Sequence, residues 1–325
     1  MLRRQFVGIG PALGAALVST PSRARSLDLV RIVTGFPPGG TADTVARRAA
    51  DGLPPSYARS AIVENRTGAG GQIAAAAIRN GSPDGNILLM TPLGVLTQHP
   101  HTYAQVPYDS LTDFAPLSCG ASFEFAWGVG PTVPEEVRTV PQYLSWCREN
   151  PGRASFGSPS AGTTPHFIGI MLGRAAGAEM THVAYRGTPP AILDMIGGQI
   201  PAVCGPVGEF LQYVKAGKCR VLATSGAARS RFLPDVPTLV EQGYADLAFE
   251  EWFAFFGPAR TPAERVEEFG RLTAAALSAP AVAQSFAVQG LEVRLSSPEE
   301  LRARVASEHE TWGRIVRAVG FTPQS

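Results

Sequence analysis

From Asp28 onward the hydrophobic and polar positions repeat one grammar: an apolar run, a break of small residues, then an amphipathic stretch. Asp28 to Phe36 is β-branched and apolar, Pro37, Pro38, Gly39 and Gly40 interrupt it, and Thr41 to Leu53 is Ala-rich with helical spacing. That predicts strand, glycine loop, helix. The order recurs as strand Ala61 to Glu64, loop Thr67 to Gly71 and helix Gln72 to Arg79, before Pro83-Asp84-Gly85 turns into strand Ile87 to Thr91. It returns as strand Ala154 to Gly157, loop Ser158 to Thr164 and helix His166 to Ala176, then strand Thr181 to Tyr185. Helix Pro190 to Ile196, strand Ile200 to Cys204, helix Glu209 to Ala216 and strand Arg220 to Ser225 continue it. Strands alternating with helices predict parallel βαβ units covered on both faces.

Two series of such units, one early and one central, predict two α/β lobes. Phe114 to Ala126 is the strand expected to cross between them, and Trp252 to Gly257 a second apolar strand that carries the chain back. The helical stretches Ala263 to Leu277, Pro280 to Gln289 and Pro298 to Val319 are expected on the first lobe. The resulting division is a leader at 1–24, one lobe from 25–124 plus 247–325, and a second from 125–246, with a length of 325 residues suited to two domains.

The leader reading comes from Arg3 and Arg4, the apolar stretch Phe6 to Val18, and the small residues Ser22 and Ala24 in an A-x-A-like arrangement. LRRQFVG also reads as the opening of a twin-arginine signal, which leaves the export route open between two pathways. The mature protein is expected in the periplasm. Composition narrows the partners: hydrophobic residues are 45% and charged residues 17%, a globular balance. Setting aside Arg3, Arg4 and Arg23 leaves 25 basic against 27 acidic residues, so no broad positive field exists to hold nucleic acid. Cys119, Cys147, Cys204 and Cys219 follow no metal or redox spacing and read as small buried hydrophobes; no Cys204–Cys219 disulfide is expected.

Three loops share one property. Pro38-Gly39-Gly40-Thr41, Gly68-Ala69-Gly70-Gly71 and Ser158 to Thr164 each place small residues just before a helix, whose unpaired N–H groups and dipole favour an anion. Ser158, Ser160, Thr163 and Thr164 add hydroxyls suited to carboxylate oxygens. Each loop alone could be a tight turn, and Asp43 a first-turn carboxylate. Enzyme signatures fail on the same residues: Pro159 stands where G-x-S-x-G needs Ser, and no Walker lysine or G-x-G-x-x-G follows a strand. His99 and His101 form a lone H-x-H, and His166, His182 and His309 are scattered, so no metal and no cofactor are expected. Trp252 and Phe253 could line a ligand, but aromatic strand residues more often fill a core.

The strings IVTGFPPGGTADTVARRAADGL, VENRTGAGGQIAAAAI, SPDGNILLMT, YDSLTDFAPLS, FGSPSAGTTPHF, HVAYRGTPPAILDMIGGQI, VKAGKCRVLATS, LPDVPTLVEQG, EEWFAFFGPARTP and EHETWGRIVRAVGF resemble, in order, the substrate-binding proteins of tripartite tricarboxylate transporters, the Bug family. The resemblance implies a type II periplasmic-binding-protein fold, two α/β lobes with a ligand cleft between them, that captures a small carboxylate, catalyses nothing, acts as a monomer and serves membrane permease subunits. A binding protein serving a sensor or a ligand store stays open as the alternative. By motif, Phe36, Gly39, Gly40, Thr41 and Asp43 match the first ligand loop, Ala69, Gly70, Gly71 and Gln72 the second, and Ser158, Thr163 and Thr164 the loop of the other lobe. Gln72 stands where Asn is usual. Pro201 and Gly205 stand where Asp is frequent, and the missing acid at Gly205 weighs against amino-acid ligands.

Overall fold

The computed structural model describes residues 26–324; the leader residues Arg3, Arg4, Ser22 and Ala24 lie outside that range. The first series is β1 (Leu27–Thr34), α1 (Thr41–Asp51), β2 (Ala58–Asn65), α2 (Gln72–Arg79) and β3 (Ile87–Pro92), followed by two short helices, α3 (Gly94–Thr97) and α4 (His99–Thr102). β4 (Phe114–Val129) leads to α5 (Val140–Glu149). The second series is β5 (Ser155–Ser158), α6 (Thr164–Ala176), β6 (Thr181–Ala184), α7 (Thr188–Ile196), β7 (Ala202–Pro206), α8 (Val207–Lys215) and β8 (Arg220–Thr224). β9 (Glu250–Pro258), α9 (Ala263–Leu277), α10 (Pro280–Val288), β10 (Glu292–Val293) and α11 (Pro298–Ala318) complete the described chain.

β4 organises the two lobes. Its first part pairs antiparallel with β9, from Phe114 opposite Pro258 to Glu124 opposite Glu250, and β9 continues the order β2-β1-β3-β9-β4. From Phe125 to Val129 it pairs instead with β7 on one side and β8 on the other, and β7 leads on to β5 and β6. β2, β1 and β3 are parallel, as are β7, β5 and β6. β4 is buried along its length except at Glu124, where the pairing changes hands. A strand covered on both faces needs continuous apolar character, which is why it reads as an unbroken hydrophobic run. Each lobe is therefore a sheet with helices on both faces. Val45, Ala46, Ala49, Phe255 and Phe269 pack on one face of the first sheet, and Ala74, Ile78, Leu96, Leu301 and Val305 on the other.

All four cysteines are free and buried, in keeping with the reading as small hydrophobes, and β4 lies between β7 and β8, which carry or adjoin Cys204 and Cys219. One expectation needs correction, and three helices were not foreseen. α3, α4 and α5 escape the sequence reading, although α5 carries a complete capping box between Thr139 and Gln142. The C-terminal helices do not pack on the first lobe alone. α11 starts there through Leu301 and Val305, but its last turns bring Trp312, Val316 and Val319 onto Phe167 of α6. Trp312 stacks on Phe249 of the returning segment at 5.4 Å, and Arg174 of α6 donates to the carbonyls of Ala318 and Val319. One amphipathic helix thus spans both lobes, and truncating Phe167 to Ala would remove about 3–5 kcal/mol of packing from that contact. Phe253 is core, as expected of an aromatic strand, while Trp252 lies half-buried under the Arg304 guanidinium. No helix of the described residues is long and apolar enough to cross a membrane.

Candidate functional site

The loop between β1 and α1 is shaped by Asp43, which is almost wholly buried. Its carboxylate accepts from the Gly39 amide at 2.9 Å, from Asn65 at 2.9 Å and from Arg47 at 2.8 and 3.0 Å. Burial alone would raise its pKa, but the donors from Arg47, Gly39 and Asn65 outweigh it and hold the carboxyl below its ordinary value. Both Asp43 oxygens are thereby used within the protein; it folds the loop back so that Gly39 takes a left-handed φ of +81°. Gly40 caps α1 with no side-chain hydrogen bond, so no side chain competes for the first-turn amides at Thr41 and beyond.

The second loop packs directly on the first. A Cβ added at Gly35 would fall 2.4 Å from the Gly71 Cα, and one at Gly71 would meet Phe36 at 3.4 Å, so only glycine permits this approach of two backbones. Ala69, Gly70 and Gly71 all have positive φ, Ala69 being the one non-glycine residue among those described to do so. A Cβ at Gly70 would strike His99 of α4 at 2.8 Å and approach the Tyr103 hydroxyl at 3.2 Å. Gln72 is buried at the start of α2, and its amide nitrogen has no protein partner.

The third loop, Ser158 to Thr164, comes from the second lobe and also meets α4 and the residue after it. A Cβ at Gly162 would lie 3.1 Å from Thr102, and the Ser160 side chain stands close enough to the Tyr103 hydroxyl to oppose the rise in its pKa that burial causes. α4 therefore adjoins both the second glycine loop and the Ser/Thr loop. Sequence reasoning passed over it because four residues holding Pro100 have no readable period. The signal available was its place, just past the carboxyl end of β3, where open α/β sheets bind ligands. His99 and His101 face different partners, His101 donating to the His309 carbonyl at 2.9 Å. Burial pushes His99 down to about 4, so it is neutral, and its Nδ1 has no protein partner; nor has the Thr102 hydroxyl.

Hydroxyls of the third loop are committed within it. Ser158 Oγ and Thr163 Oγ1 both donate to the Ser160 carbonyl at 2.9 Å, and Ser158 Oγ lies 2.8 Å from His182 Nε2. That contact resembles a nucleophile and its base. Ser158 is fully buried, however, its proton is given to a carbonyl, and burial with neighbouring His166 pushes His182 down to about 3, which makes it a poor base at neutral pH. Thr164, buried at the first position of α6, follows the N-cap Thr163, whose hydroxyl caps nothing.

Gly205 sits in β7, and a Cβ there would fall 2.4 Å from Thr188, the first residue of α7. The acid missing at this position has a neighbour one turn on: burial raises the pKa of Glu209, opposed by the nearby Thr188 side chain. No lysine or arginine stands in 36–43, 67–72 or 158–164, and the flanking Arg47 and Arg66 are paired with Asp43 and Glu64. The three segments themselves thus offer amides and neutral hydrogen-bonding groups from both lobes, while Arg186 stands beside Gly187, whose amide donates to the Pro159 carbonyl of the third loop. Two other concavities, one around Arg31, Arg59 and Asp84 and one along Gly169 to Met180, share no residue with these loops.

Comparison with known proteins places this geometry among relatives. The family described as the tripartite tricarboxylate transporter family receptor matches residues 45–321. A protein encoded in the tcbD–tcbE intergenic region of Pseudomonas sp. strain P51 is 31% identical over 97% of this chain and 93% of its own length. BugT of Bordetella pertussis is 29% identical over 98% of both chains. Among solved structures, periplasmic binding protein BugD superposes with a TM-score of 0.81 at 27% identity, covering 91% of this chain and 99% of its own. A protein of R. palustris determined with adipate gives a TM-score of 0.83 at 28% identity, covering 91% and 99%.

Proposed function

We propose, from the premise that this chain belongs to the tripartite tricarboxylate transporter receptor family, that it captures a small, plain carboxylate between its two lobes and passes it to membrane permease subunits. The family is one of receptors, not of enzymes, and its fold is the two-lobed, cleft-bearing one. The observation that carries the reading is the chain of close approaches Gly35–Gly71, Gly70–His99 and Thr102–Gly162, which brings loops of both lobes to α4. The ligand contacts assigned are the backbone at Phe36, Gly39, Gly40 and Thr41, at Ala69, Gly70, Gly71 and Gln72, and at Thr163 and Thr164. Amides at helix N-termini hold an anion by dipole and hydrogen bonds, without need of a cation inside the loops themselves. Asp43 and Ser158 shape the loops from behind. The lobes meet where β4 changes partners, between Glu124 and Phe125, and again near Leu247.

Support for a carboxylate comes from the adipate bound in the R. palustris relative's structure and from the cation-free, donor-rich loops. Amino acids fit less well, since Gly205 offers no acid. The periplasm is the matching location, reached by removal of residues 1–24. Titration calorimetry of the mature chain with adipate and other C4 to C6 dicarboxylates, beside mass spectrometry of whatever ligand survives native purification, tests the reading. Micromolar or tighter binding of a dicarboxylate is expected; a co-purified cation or nucleotide with no carboxylate binding overturns it.

A further inference from the structure

We propose that His166 and His182 form a stacked pair of positioning residues that sets the orientation of the Ser158–Thr164 loop, which rests on the reading of that loop as an anion contact. The two rings come from different elements, His166 from the first turn of α6 and His182 from β6, yet lie 3.6 Å apart, nearly parallel at 14°. Each holds one end of the loop. His182 Nε2 is 2.8 Å from Ser158 Oγ, and the Gly162 amide donates to His166 Nδ1 at 3.0 Å.

Proton counting fixes both tautomers. A serine hydroxyl has one proton, and Ser158 gives it to the Ser160 carbonyl. His182 Nε2 must therefore carry a proton and donate it to Ser158. His166 Nδ1 accepts from Gly162, so its ring, when neutral, carries its proton on Nε2. Neutrality follows from the surroundings. Phe156, Phe167 and Phe321 pack against the pair, and no carboxylate or cation acts on either ring among the described residues. Burial pushes His166 down to about 4 and, with the neighbouring ring, His182 to about 3. A proton added to His166 Nδ1 would remove the only acceptor for the Gly162 amide. Gly162 has φ +71° and presents its other face to Thr102, so its tether also governs how the second lobe meets α4.

Packing and positioning make opposite predictions for substitution. His166→Leu keeps apolar bulk but loses the acceptor, whereas His166→Asn puts an amide oxygen near the Nδ1 site and sacrifices the ring; His182→Leu and His182→Gln form the matching pair. Nitrogen-15 NMR of the imidazoles in the ligand-free wild type should find both protons on Nε2. Gly162 amide exchange should accelerate at least tenfold in His166→Leu and stay near wild type in His166→Asn. Where adipate binds, the two Leu variants should lose at least tenfold in affinity and the Asn and Gln variants no more than about threefold. A proton on His166 Nδ1, or unchanged Gly162 exchange in a folded His166→Leu, overturns the proposal. If His166→Leu does not fold, the wild-type tautomers and the His166→Asn exchange decide it. If adipate does not bind the wild type, the assignment of that ligand fails while tautomers and exchange still report on the pair.

Discussion

The two lobes bring neutral donors to the cleft by different means. In the first, backbone conformation does most of the shaping: Gly39, Gly70 and Gly71 take left-handed φ, Gly35 lets two loops touch, and one buried side chain, Asp43, holds the Gly39 amide. In the second, side chains shape an otherwise unremarkable loop, with Ser158 and Thr163 sharing one carbonyl and two stacked histidines behind. The contrast teaches that the lobes should fail differently: the first chiefly through a Cβ added where backbones or α4 pack closely, as at Gly35 and Gly70, the second through loss of particular nitrogen and oxygen atoms.

Gly70→Leu is the strongest way to break that comparison. A non-glycine residue in the left-handed region costs about 1–2 kcal/mol, and here the new Cβ also meets His99, which is 3% exposed and cannot yield. Together roughly 3 kcal/mol or more, these effects should lower affinity more than about 100-fold by calorimetry. Gly39→Ala is the calibration: φ is +81°, but a Cβ there meets nothing within 4 Å, so only strain remains, about 1 kcal/mol or roughly fivefold. Equal losses for the two variants would mean that contact with α4 does not matter.

Acid should probe both lobes, His99 in the first and His166 and His182 in the second. His99, His166 and His182 are held neutral by burial, down to about 4, 4 and 3. Between those values and the ordinary value near 6.5, the unfolded chain binds protons that the folded chain refuses, so each histidine withdraws stability as pH falls, by about 1.4 kcal/mol per pH unit. Glu124 and Glu251, pushed up by burial to about 7 and 8, act in the opposite sense because the folded state keeps their protons. The diagnostic is therefore a difference from wild type. Denaturant unfolding at pH 7.5, 6.5 and 5.5 should show His99→Asn and His182→Gln each losing less stability on acidification than wild type; parallel curves would mean these rings are not held neutral.

Asp43→Asn should act next in size. The carboxylate is buried but Arg47 is half exposed, so the pair itself is worth little in water, and the larger loss comes from weaker acceptance of the Gly39 amide. A fall of about 1–2 kcal/mol in stability is expected at pH 7. Because the folded pKa is lowered, the contribution is complete above the unfolded value near 3.8 and disappears as pH falls through the folded one. Thermal melts of both proteins should converge at the acid end of that range.

Much of this was legible in the chain. The strand, loop and helix order could be read from β-branched runs and glycine breaks, and the three loops from their small residues. Contacts between distant elements were not. His166 and His182 look scattered in the sequence, and their stacking depends on β5, β6 and α6 folding side by side. α11 shows an amphipathic stripe, which says that one face is buried but not that its end crosses to Phe167 in the other lobe. Asp43 was read as a ligand contact or a dipole partner; its role in bending the Gly39 loop needed Asn65, which arrives from another strand.

Thr163→Val is the smallest change and the finest test. Were the hydroxyl to donate to a charged ligand oxygen, its loss would cost about 1.5–3 kcal/mol, or roughly 10- to 150-fold in affinity. In the ligand-free protein it donates instead to the Ser160 carbonyl, which keeps a second donor in Ser158 and is not orphaned when Thr163 loses its proton. Valine keeps the branched shape, so the loop changes little. The expected cost is then that of one neutral hydrogen bond in stability, about 1 kcal/mol, with the apo melting temperature a few degrees lower and the affinity within about threefold of wild type. Calorimetry with adipate beside apo melts reads both quantities. A loss well above tenfold would mean that Thr163 turns from Ser160 to the anion on binding, so that the second lobe too contributes a direct side-chain donor and differs from the first less than its resting geometry suggests.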